Sequence, residues 1–88
     1  MDITPLCNTA AALADPTRVQ LLVLLEHRSI PAGQLALSLN VVPSVVTHHL
    51  RRLEEAGLVI TTRVGRQALV RRRQDRWRQV CAAFWPGG

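Results

Sequence analysis

The sequence lacks the features that mark a zinc protein, a disulfide scaffold or a membrane protein. Its 88 residues include two cysteines, which form neither a CxxC motif nor a Cys/His cluster at zinc-site spacing. The longest apolar run, residues 21–25, is too short to span a bilayer. The first residues, MDITPLC, carry no basic segment of a signal peptide. We therefore expect a cytoplasmic protein with reduced thiols, no metal, no cofactor and no membrane partner.

Catalytic constellations are missing as well. No paired carboxylates, no phosphate-binding glycine loop and no Cys–His–acid set can be assembled from these residues, which argues against an enzyme. Residues 86–88 indicate a disordered tail. Residues 1–85 have the size of one small domain, which buries only about 60% of its unfolded surface and often gains stability from a partner chain. A dimer is therefore a physical expectation.

The basic residues are unevenly distributed. Lysine is absent, so all eleven residues of the lysine and arginine types are arginine, and the formal net charge is +5 with histidine neutral. Residues 1–50 have a balance of −1, whereas residues 51–88 contain nine arginines against three acidic residues. A polyanion is the natural partner of such a basic half, and double-stranded nucleic acid fits it. The absence of lysine is not itself evidence of function, because a GC-rich coding sequence also favours arginine.

Residues 34–57 are typical of a helix-turn-helix. Pro43 suits the first position of the second helix because it has no N–H to lose, and Gly57 is the matching stop. An apolar stripe that should face the core recurs at i, i+4 and i+7: Val46, Leu50 and Leu53. Another face carries residues suited to reading base edges in a major groove: Ser44, Thr47, His48 and Arg51. The alternative is an ordinary helical hairpin whose polar face is solvated.

The hydrophobic pattern changes period after Gly57. Residues 59–64 and 67–71 favour extended structure and predict a β-hairpin with its turn at Val64-Gly65-Arg66. A basic hairpin directly after such a helix is the wing of a winged helix, here residues 58–71. Arg63 and Arg66 flank its tip, where guanidinium groups can enter a minor groove or bind phosphates. A solvated turn is the alternative.

Two helices are predicted before the helix-turn-helix. Thr4 should cap the first helix, with Pro5 at its first position and an end near residue 14. Asp15-Pro16 repeats this combination of a capping residue and a proline, and predicts a second helix that runs to about residue 27. The second helix is apolar nearly all round and is expected to be buried. A short β-bridge at Ile30 is expected to pair with the hairpin. The predicted fold is mainly α, a winged helix-turn-helix with about five helices and a two-stranded wing.

The last predicted helix holds all three aromatic residues. It lies within residues 74–85, with Asp75 as its cap, and runs from residue 76 to about residue 85. Its apolar positions recur at helical spacing: Trp77, Val80, Cys81, Phe84 and Trp85. Because such a patch disfavours a monomer, we expect it to pack with the helix in residues 1–14 across a two-fold axis. The predicted interface residues are Leu6, Ala10, Trp77, Val80 and Phe84. Packing within one chain is the alternative.

These segments together resemble the arsenical-resistance repressor (ArsR/SmtB) family of bacterial winged-helix regulators. The resemblance rests on ALADPTRVQLLVLL, QLALSLNVVPSVVTHHLRRLEEAGLV and RVGRQALV, and covers nearly the whole chain. It implies a homodimer built from the first and last helices. It also implies operator DNA bound by helix 43–56 and the wing, and release of the DNA by an effector. Ser44, Thr47 and His48 fall where members contact bases, whereas Val42 replaces the capping serine or threonine that is common in the family.

The sensing sites of the family are not matched here. Members that bind thiophilic metals carry cysteines near the start of the helix before the turn, and residues 33–39 contain none. Members that bind zinc-like ions use Asp/His and His/Glu pairs on the last helix, where this chain has only Asp75. Cys7 and Cys81, on the first and last helices, remain as candidates for a thiol switch or for capture of a soft ion such as arsenite. The alternative is that both are small buried apolar residues. The sequence identifies no effector.

Two classes of function follow. The first is a sequence-specific DNA-binding repressor with Pro43 at the start of its recognition helix. Its phosphate contacts would come from an arginine set: Arg51, Arg52, Arg63, Arg66 and residues 71–73. The second is a winged-helix module for protein–protein contact, whose basic face would bind an acidic partner. The basic hairpin and the polar helix face favour the first.

Overall fold

The computed structural model of the protein describes residues 2–84. They form five helices and a three-stranded antiparallel sheet of order β1-β3-β2. In chain order the elements are α1 (Thr4–Leu13), α2 (Pro16–Leu24), β1 (Ile30–Pro31), α3 (Ala32–Leu39), α4 (Pro43–Glu55), β2 (Val59–Val64), β3 (Gln67–Arg72) and α5 (Gln74–Phe84). The predicted winged helix-turn-helix architecture is confirmed. The expected role of Trp85 and the expected tail at residues 86–88 lie outside the described residues.

The first two helices begin at carboxylates. Asp15 Oδ1 accepts hydrogen bonds from the backbone N–H groups of Thr17 at 2.8 Å and Arg18 at 3.3 Å, as expected of an N-cap. The prediction that Thr4 caps α1 is wrong, because Thr4 is itself the first helical residue. Its backbone N–H donates to Asp2 Oδ1 at 2.9 Å, so an aspartate two residues earlier satisfies the free donor.

The core forms where α2, α3 and α4 pack together and where α3 and α4 meet the sheet. Its fully buried larger side chains come from α2 and its C-cap, from α3 and α4, and from the sheet and the turn before it: Leu21, Leu22, Leu25, Leu35, Val46, Leu53, Leu58 and Val70. The prediction that α2 is buried all round is wrong. Val23 is 60% exposed, because no described element covers the outer face of this helix, and α2 ends at Leu24 rather than near residue 27. With Leu39 of α3, the outer face of α2 lines an apolar groove of about 320 Å³.

The helix-turn-helix is shaped by local backbone signals. Asn40 ends α3 in the left-handed conformation, with φ of 55°. Val41, in the turn, is half-buried against the core. Gly57 follows α4 with φ of +74°, its N–H donates to the carbonyl of Glu54, and the N–H of Leu58 donates to the carbonyl of Leu53. This pair of hydrogen bonds is a Schellman motif, so Gly57 ends the helix as predicted.

The hairpin and the connector form one sheet. β2 and β3 pair from Val59↔Arg72 to Val64↔Gln67, which leaves Gly65 and Arg66 as the turn. Gly65 has φ of +62°, a conformation that glycine adopts without strain. The expected β-bridge is confirmed, because Ile30 pairs with Val70 of β3. The sheet therefore has three strands rather than two.

The last helix begins two residues earlier than predicted. Asp75 lies in its first turn, and a hydrogen bond from the backbone N–H of Arg76 is the main reason that the pKa of Asp75 is lowered. Among residues 2–84, no helix is long and apolar enough to cross a membrane.

Candidate nucleic-acid interface

Helix α4 separates an apolar side from a polar side. Its buried residues are Val46, Leu50 and Leu53, as the periodicity predicted. Four residues predicted to read bases are all exposed: Ser44, Thr47, His48 and Arg51. The helix therefore presents hydroxyl, imidazole and guanidinium groups to solvent along one continuous side, while its opposite side anchors it to the core.

The leading end of α4 is uncapped by any side chain. Val42 occupies the N-cap without a side-chain hydrogen bond, and Pro43 follows at the first helical position. The Thr47 hydroxyl donates to the carbonyl of Pro43 at 3.1 Å. Its single donor is thereby used, so Thr47 presents an acceptor oxygen and a methyl group. Ser44, one turn earlier on the same side, has a hydroxyl that can still donate.

Arg52 lies next to the polar side of α4 but does not belong to it. Its Nη1 is 3.4 Å from Oε2 of Glu55, one turn further along the helix. Both side chains line a cavity of about 180 Å³ between α1 and α4, together with Asn8 and Arg18. Arg52 is half exposed in this position, beside the polar side rather than on it.

The wing stands beside α4 and is attached to it. Arg63 and Arg66 are exposed on either side of Gly65. At the base of the hairpin, the hydroxyl of Thr61 donates to Oε1 of Glu54 at 2.6 Å. This hydrogen bond joins β2 to α4, so the orientation of the arginine-tipped wing depends on that of the helix. Sequence reasoning missed this link, because the two residues are ordinary surface types on different elements.

One member of the predicted arginine set has a different role. Arg72 is 9% exposed, and its guanidinium donates to the carbonyl of Leu22 at 3.2 Å and to Oε1 of Gln74. The prediction that residues 71–73 all contact phosphates is therefore wrong for Arg72. A buried guanidinium that is already hydrogen-bonded within the protein cannot reach a phosphate of a nucleic acid. Arg71 is exposed, and Arg73 pairs with Asp75 at 3.4 Å.

The predicted dimer residues divide into exposed and buried members. Leu6 is 49% exposed and Phe84 39% exposed, and both line a groove of about 260 Å³ between α1 and α5. Ala10 on α1 is also exposed. Val80 is only 5% exposed, and Trp77 packs against the core with Arg72 over its ring at 5.0 Å. Val80 and Trp77 thus pack chiefly inside the protomer. The helical spacing alone could not distinguish such residues from those exposed for a dimer interface.

The two thiols are free. Cys7 is exposed on α1, so the alternative that both cysteines are buried apolar residues is wrong for Cys7, and Cys81 is half-buried on α5. Within the described part of the chain, no three His, Cys, Asp or Glu side chains are grouped so that they could hold a metal ion.

A further contact involves a residue outside the predicted set. His49, next to His48 on α4, is half-buried, and its Nδ1 lies 3.2 Å from Nε of Arg18 on α2. The rings of the two histidines meet edge to face, with centroids 5.3 Å apart. The side chains of adjacent helical residues diverge by about 100°. One imidazole therefore lies on the exposed side and the other against α2, a difference that the pattern His-His already implied.

Comparison with known proteins supplies the family. The family described as "Bacterial regulatory protein, arsR family" matches residues 15–61, from the cap of α2 into β2. The HTH-type transcriptional regulator CmtR of Mycobacterium tuberculosis is 45% identical over 62 residues, which are 70% of this chain and 52% of that protein. The chain thus spans about half the length of this curated relative.

Two solved structures share the fold over nearly the whole chain. An ArsR-like transcriptional regulator from Rhodococcus sp. RHA1 is 29% identical, with a TM-score of 0.82 over 93% of this chain and 75% of that one. The homodimeric winged helix-turn-helix DNA-binding domain of Mb0332 from Mycobacterium bovis is 23% identical, with a TM-score of 0.83 over 93% of this chain and 77% of that one. With the complete helix-turn-helix inside the matched residues, the chain belongs to the arsR family of bacterial regulatory proteins.

Proposed function

We propose that this protein is a sequence-specific DNA-binding transcriptional regulator that acts in the cytoplasm as a homodimeric repressor. The observation that carries the proposal is the exposed polar side of α4 standing beside a wing with Arg63 and Arg66 at its tip. A helix with such a side fits a major groove, and an arginine-tipped hairpin fits the adjacent backbone or minor groove. The description of CmtR as a transcriptional regulator supports the same conclusion.

The two elements have different tasks in this proposal. Ser44, Thr47 and His48 contact base edges, where their donors and acceptors distinguish base pairs. Pro43 places the leading turn of α4, and Arg51 reaches a guanine edge or a phosphate. The remaining exposed arginines, Arg52, Arg63, Arg66 and Arg71, contribute sequence-independent phosphate contacts, whose strength falls steeply with salt.

The exposed surface of α1 and α5 is the proposed dimer interface, with Leu6, Ala10 and Phe84 as its accessible apolar residues. The description of Mb0332 as homodimeric supports this assembly. Two copies of α4 then meet successive major grooves, which doubles the sequence that is read. Cys7 and Cys81 lie on these two helices, so oxidation of the thiols, or capture of a soft ion by them, would disturb the dimer and release the operator.

The test is fluorescence anisotropy on the DNA upstream of the protein's own gene and on a scrambled duplex, over a range of salt concentrations. We expect Arg66→Ala to weaken binding to both duplexes equally and to reduce the salt slope by about two, one for each protomer of the dimer. Thr47→Ala and His48→Ala should instead reduce the preference for the upstream DNA. Arg28→Ala, which removes an exposed arginine outside α4 and the wing, is the control and should change neither quantity.

Two outcomes would contradict the proposal. Equal losses on both duplexes from all three variants would remove the assignment of base reading to α4. No preference of the wild type for its upstream DNA would favour the protein–protein interaction module. A repeat after mild thiol oxidation tests the cysteines, because loss of binding that Cys7→Ser prevents would identify the switch. Unchanged binding would make both thiols structural.

A further inference from the structure

The side chain of Arg18 connects three helices. Its Nε donates to Nδ1 of His49 on α4 at 3.2 Å, and its Nη1 donates to the carbonyl of Ala11 on α1 at 3.4 Å. Its own backbone N–H donates to Asp15, the N-cap of α2. Arg18 therefore links α4 directly to α1, which belongs to the proposed dimer interface.

The hydrogen bond fixes the charge state of His49. An imidazole nitrogen accepts only when it carries no proton, so His49 is neutral in this arrangement, with its proton on Nε2. A second proton, on Nδ1, removes the acceptor and leaves two cations facing each other across about 3 Å. Protonation of His49 must therefore break its contact with Arg18.

The charged groups around His49 offer the imidazolium another partner. Asp15 is the anion on α2; partial burial raises its pKa, but hydrogen bonds from Thr17 and Arg18 and the nearby charge of Arg18 outweigh this and leave the pKa lowered, and a proton on His49 would lower it further. His48 lies edge-on to the ring on the same helix. Arg52 and Glu55 share a cavity with Arg18 and nearly cancel each other's charge. Helix α1 contributes the Ala11 carbonyl and the amide of Asn8 to this region.

We propose that Arg18 and His49 are positioning residues that hold α4 at a fixed angle to α1 and α2, and that a proton on His49 lowers the preference for operator DNA. The inference rests on the proposed function. Base contacts require side chains held within about 0.5 Å of their productive positions, whereas phosphate contacts tolerate displacement. Release of α4 from Arg18 therefore reduces specific binding more than non-specific binding.

Protonation of the neighbouring His48 should strengthen DNA binding, whereas protonation of His49 should weaken specific binding. His48 is exposed on the polar side of α4, so its protonation adds a cation that attracts every duplex. Acidification should therefore strengthen binding to random DNA while the ratio of operator to random affinity falls. This combination distinguishes the Arg18–His49 contact from general acid destabilisation, which weakens both kinds of binding.

The experiment measures affinity for the upstream and scrambled duplexes between about pH 8 and about pH 5.5 at constant ionic strength, the range in which histidine titrates. His49→Asn places an amide oxygen near the position of Nδ1, so it keeps an acceptor that does not titrate. His49→Leu keeps a similar volume without the acceptor. His27→Asn, which removes an exposed histidine outside α4 and the wing, is the matched control, and thermal unfolding followed by circular dichroism checks that each variant is folded.

For the wild type we expect the affinity ratio to fall about tenfold on acidification, the effect of losing one well-placed base contact. His49→Asn should keep the high ratio at every pH, His49→Leu should show the low ratio even at pH 8, and the control His27→Asn should retain the fall. A ratio that falls in His49→Asn as it does in the wild type, or stays high in His49→Leu, would overturn the inference alone. A wild type without preference at any pH would overturn the proposed function and this inference with it.

Discussion

Arg72 Nη1 donates a hydrogen bond of 3.2 Å to the carbonyl of Leu22. Leu22 lies in the last turn of α2, where carbonyl groups have no partner within the helix. Arg72 is the last residue of β3, so the hydrogen bond joins the base of the wing to the end of α2, 50 residues apart. Trp77 covers the guanidinium from α5, with its ring centroid 5.0 Å from the arginine Cζ.

Replacement of Arg72 should therefore destabilise the fold. Arg72→Met keeps the length of the side chain but leaves the Leu22 carbonyl unsatisfied, and we expect the free energy of unfolding to fall by about 2 kcal/mol. Urea denaturation measures the change. Arg71→Met is the matched control on the same strand, where the side chain is exposed, and should change stability by less than about 0.5 kcal/mol. In DNA binding we expect the larger effect from the other variant, because Arg71→Met should lower the salt slope. Equal stability effects would contradict the structural role.

Gly57→Ala should destabilise the protein through backbone strain alone. The added Cβ would meet no atom closer than 3.9 Å, but φ is +74°, which costs an alanine about 1 kcal/mol. Gly33→Ala is the control, because Gly33 lies in α3 with open space around its Cβ and without a positive φ. It should raise stability by up to about 1 kcal/mol. Thermal unfolding of both variants compares them, and changes of the same sign would show that Gly57 does not act through its backbone conformation.

Thr61→Val should detach the wing from α4 while preserving its shape. The variant loses the 2.6 Å hydrogen bond to Glu54, and the wing arginines become less well placed. We expect affinity for upstream and scrambled DNA to fall several-fold, with little change in stability because the contact is exposed. Thr62→Val, at an exposed position on the same strand, should retain wild-type affinity. A Thr61 variant with unchanged affinity would argue against a rigid wing.

The cap of α2 should show a dependence on acid. The folded pKa of Asp15 lies below its ordinary value, so Asp15 stabilises the fold above about pH 3.9, and this contribution is lost as the pH falls through the lowered folded pKa. Asp15→Asn keeps a capping oxygen without titrating. We therefore expect the wild type to be the more stable protein at neutral pH and the difference to vanish in acid. A difference that is independent of pH would contradict the assignment.

Leu6→Arg should shift the protein towards the monomer. Leu6 is half exposed on α1, beside the groove that Phe84 also lines, and a charge there would be buried in the proposed interface. Analytical ultracentrifugation measures the change. Val23→Arg is the control, since Val23 is 60% exposed on the outer face of α2. If Val23→Arg dissociates the dimer and Leu6→Arg does not, the interface lies on α2 rather than on α1 and α5.

Local signals predicted the helix-turn-helix and the wing correctly. Pro43, Gly57 and Gly65 act through their own backbone conformations, so their effect can be read without knowledge of distant residues. The outer face of α2 was mispredicted because its leucines and valines fit burial on any side, and only the assembled fold determines which side has a neighbour. Val23 is exposed for this reason.

The roles of individual arginines were not predictable from charge. Arg71 and Arg72 are adjacent and identical in type, yet one is exposed and the other is buried against Leu22. The alternation of a strand implies that they face opposite sides, but not that the inner side offers a carbonyl acceptor. Likewise, the link between Arg18 and His49 depends on the crossing of two helices, so neither motif revealed it by itself.

The pairing of β1 with β3 has a consequence for folding order. Ile30 pairs with Val70, which closes a loop of about forty residues that contains α3, α4 and β2, at an entropic cost of roughly 3 kcal/mol. The β2–β3 hairpin needs only a two-residue turn, so it should form first and offer its edge to β1. Helix α4 belongs to the segment of chain that this pairing closes, whereas α1 precedes that segment in the sequence. Amide hydrogens of Ile30 and α4 should then exchange together, and those of α1 should exchange sooner.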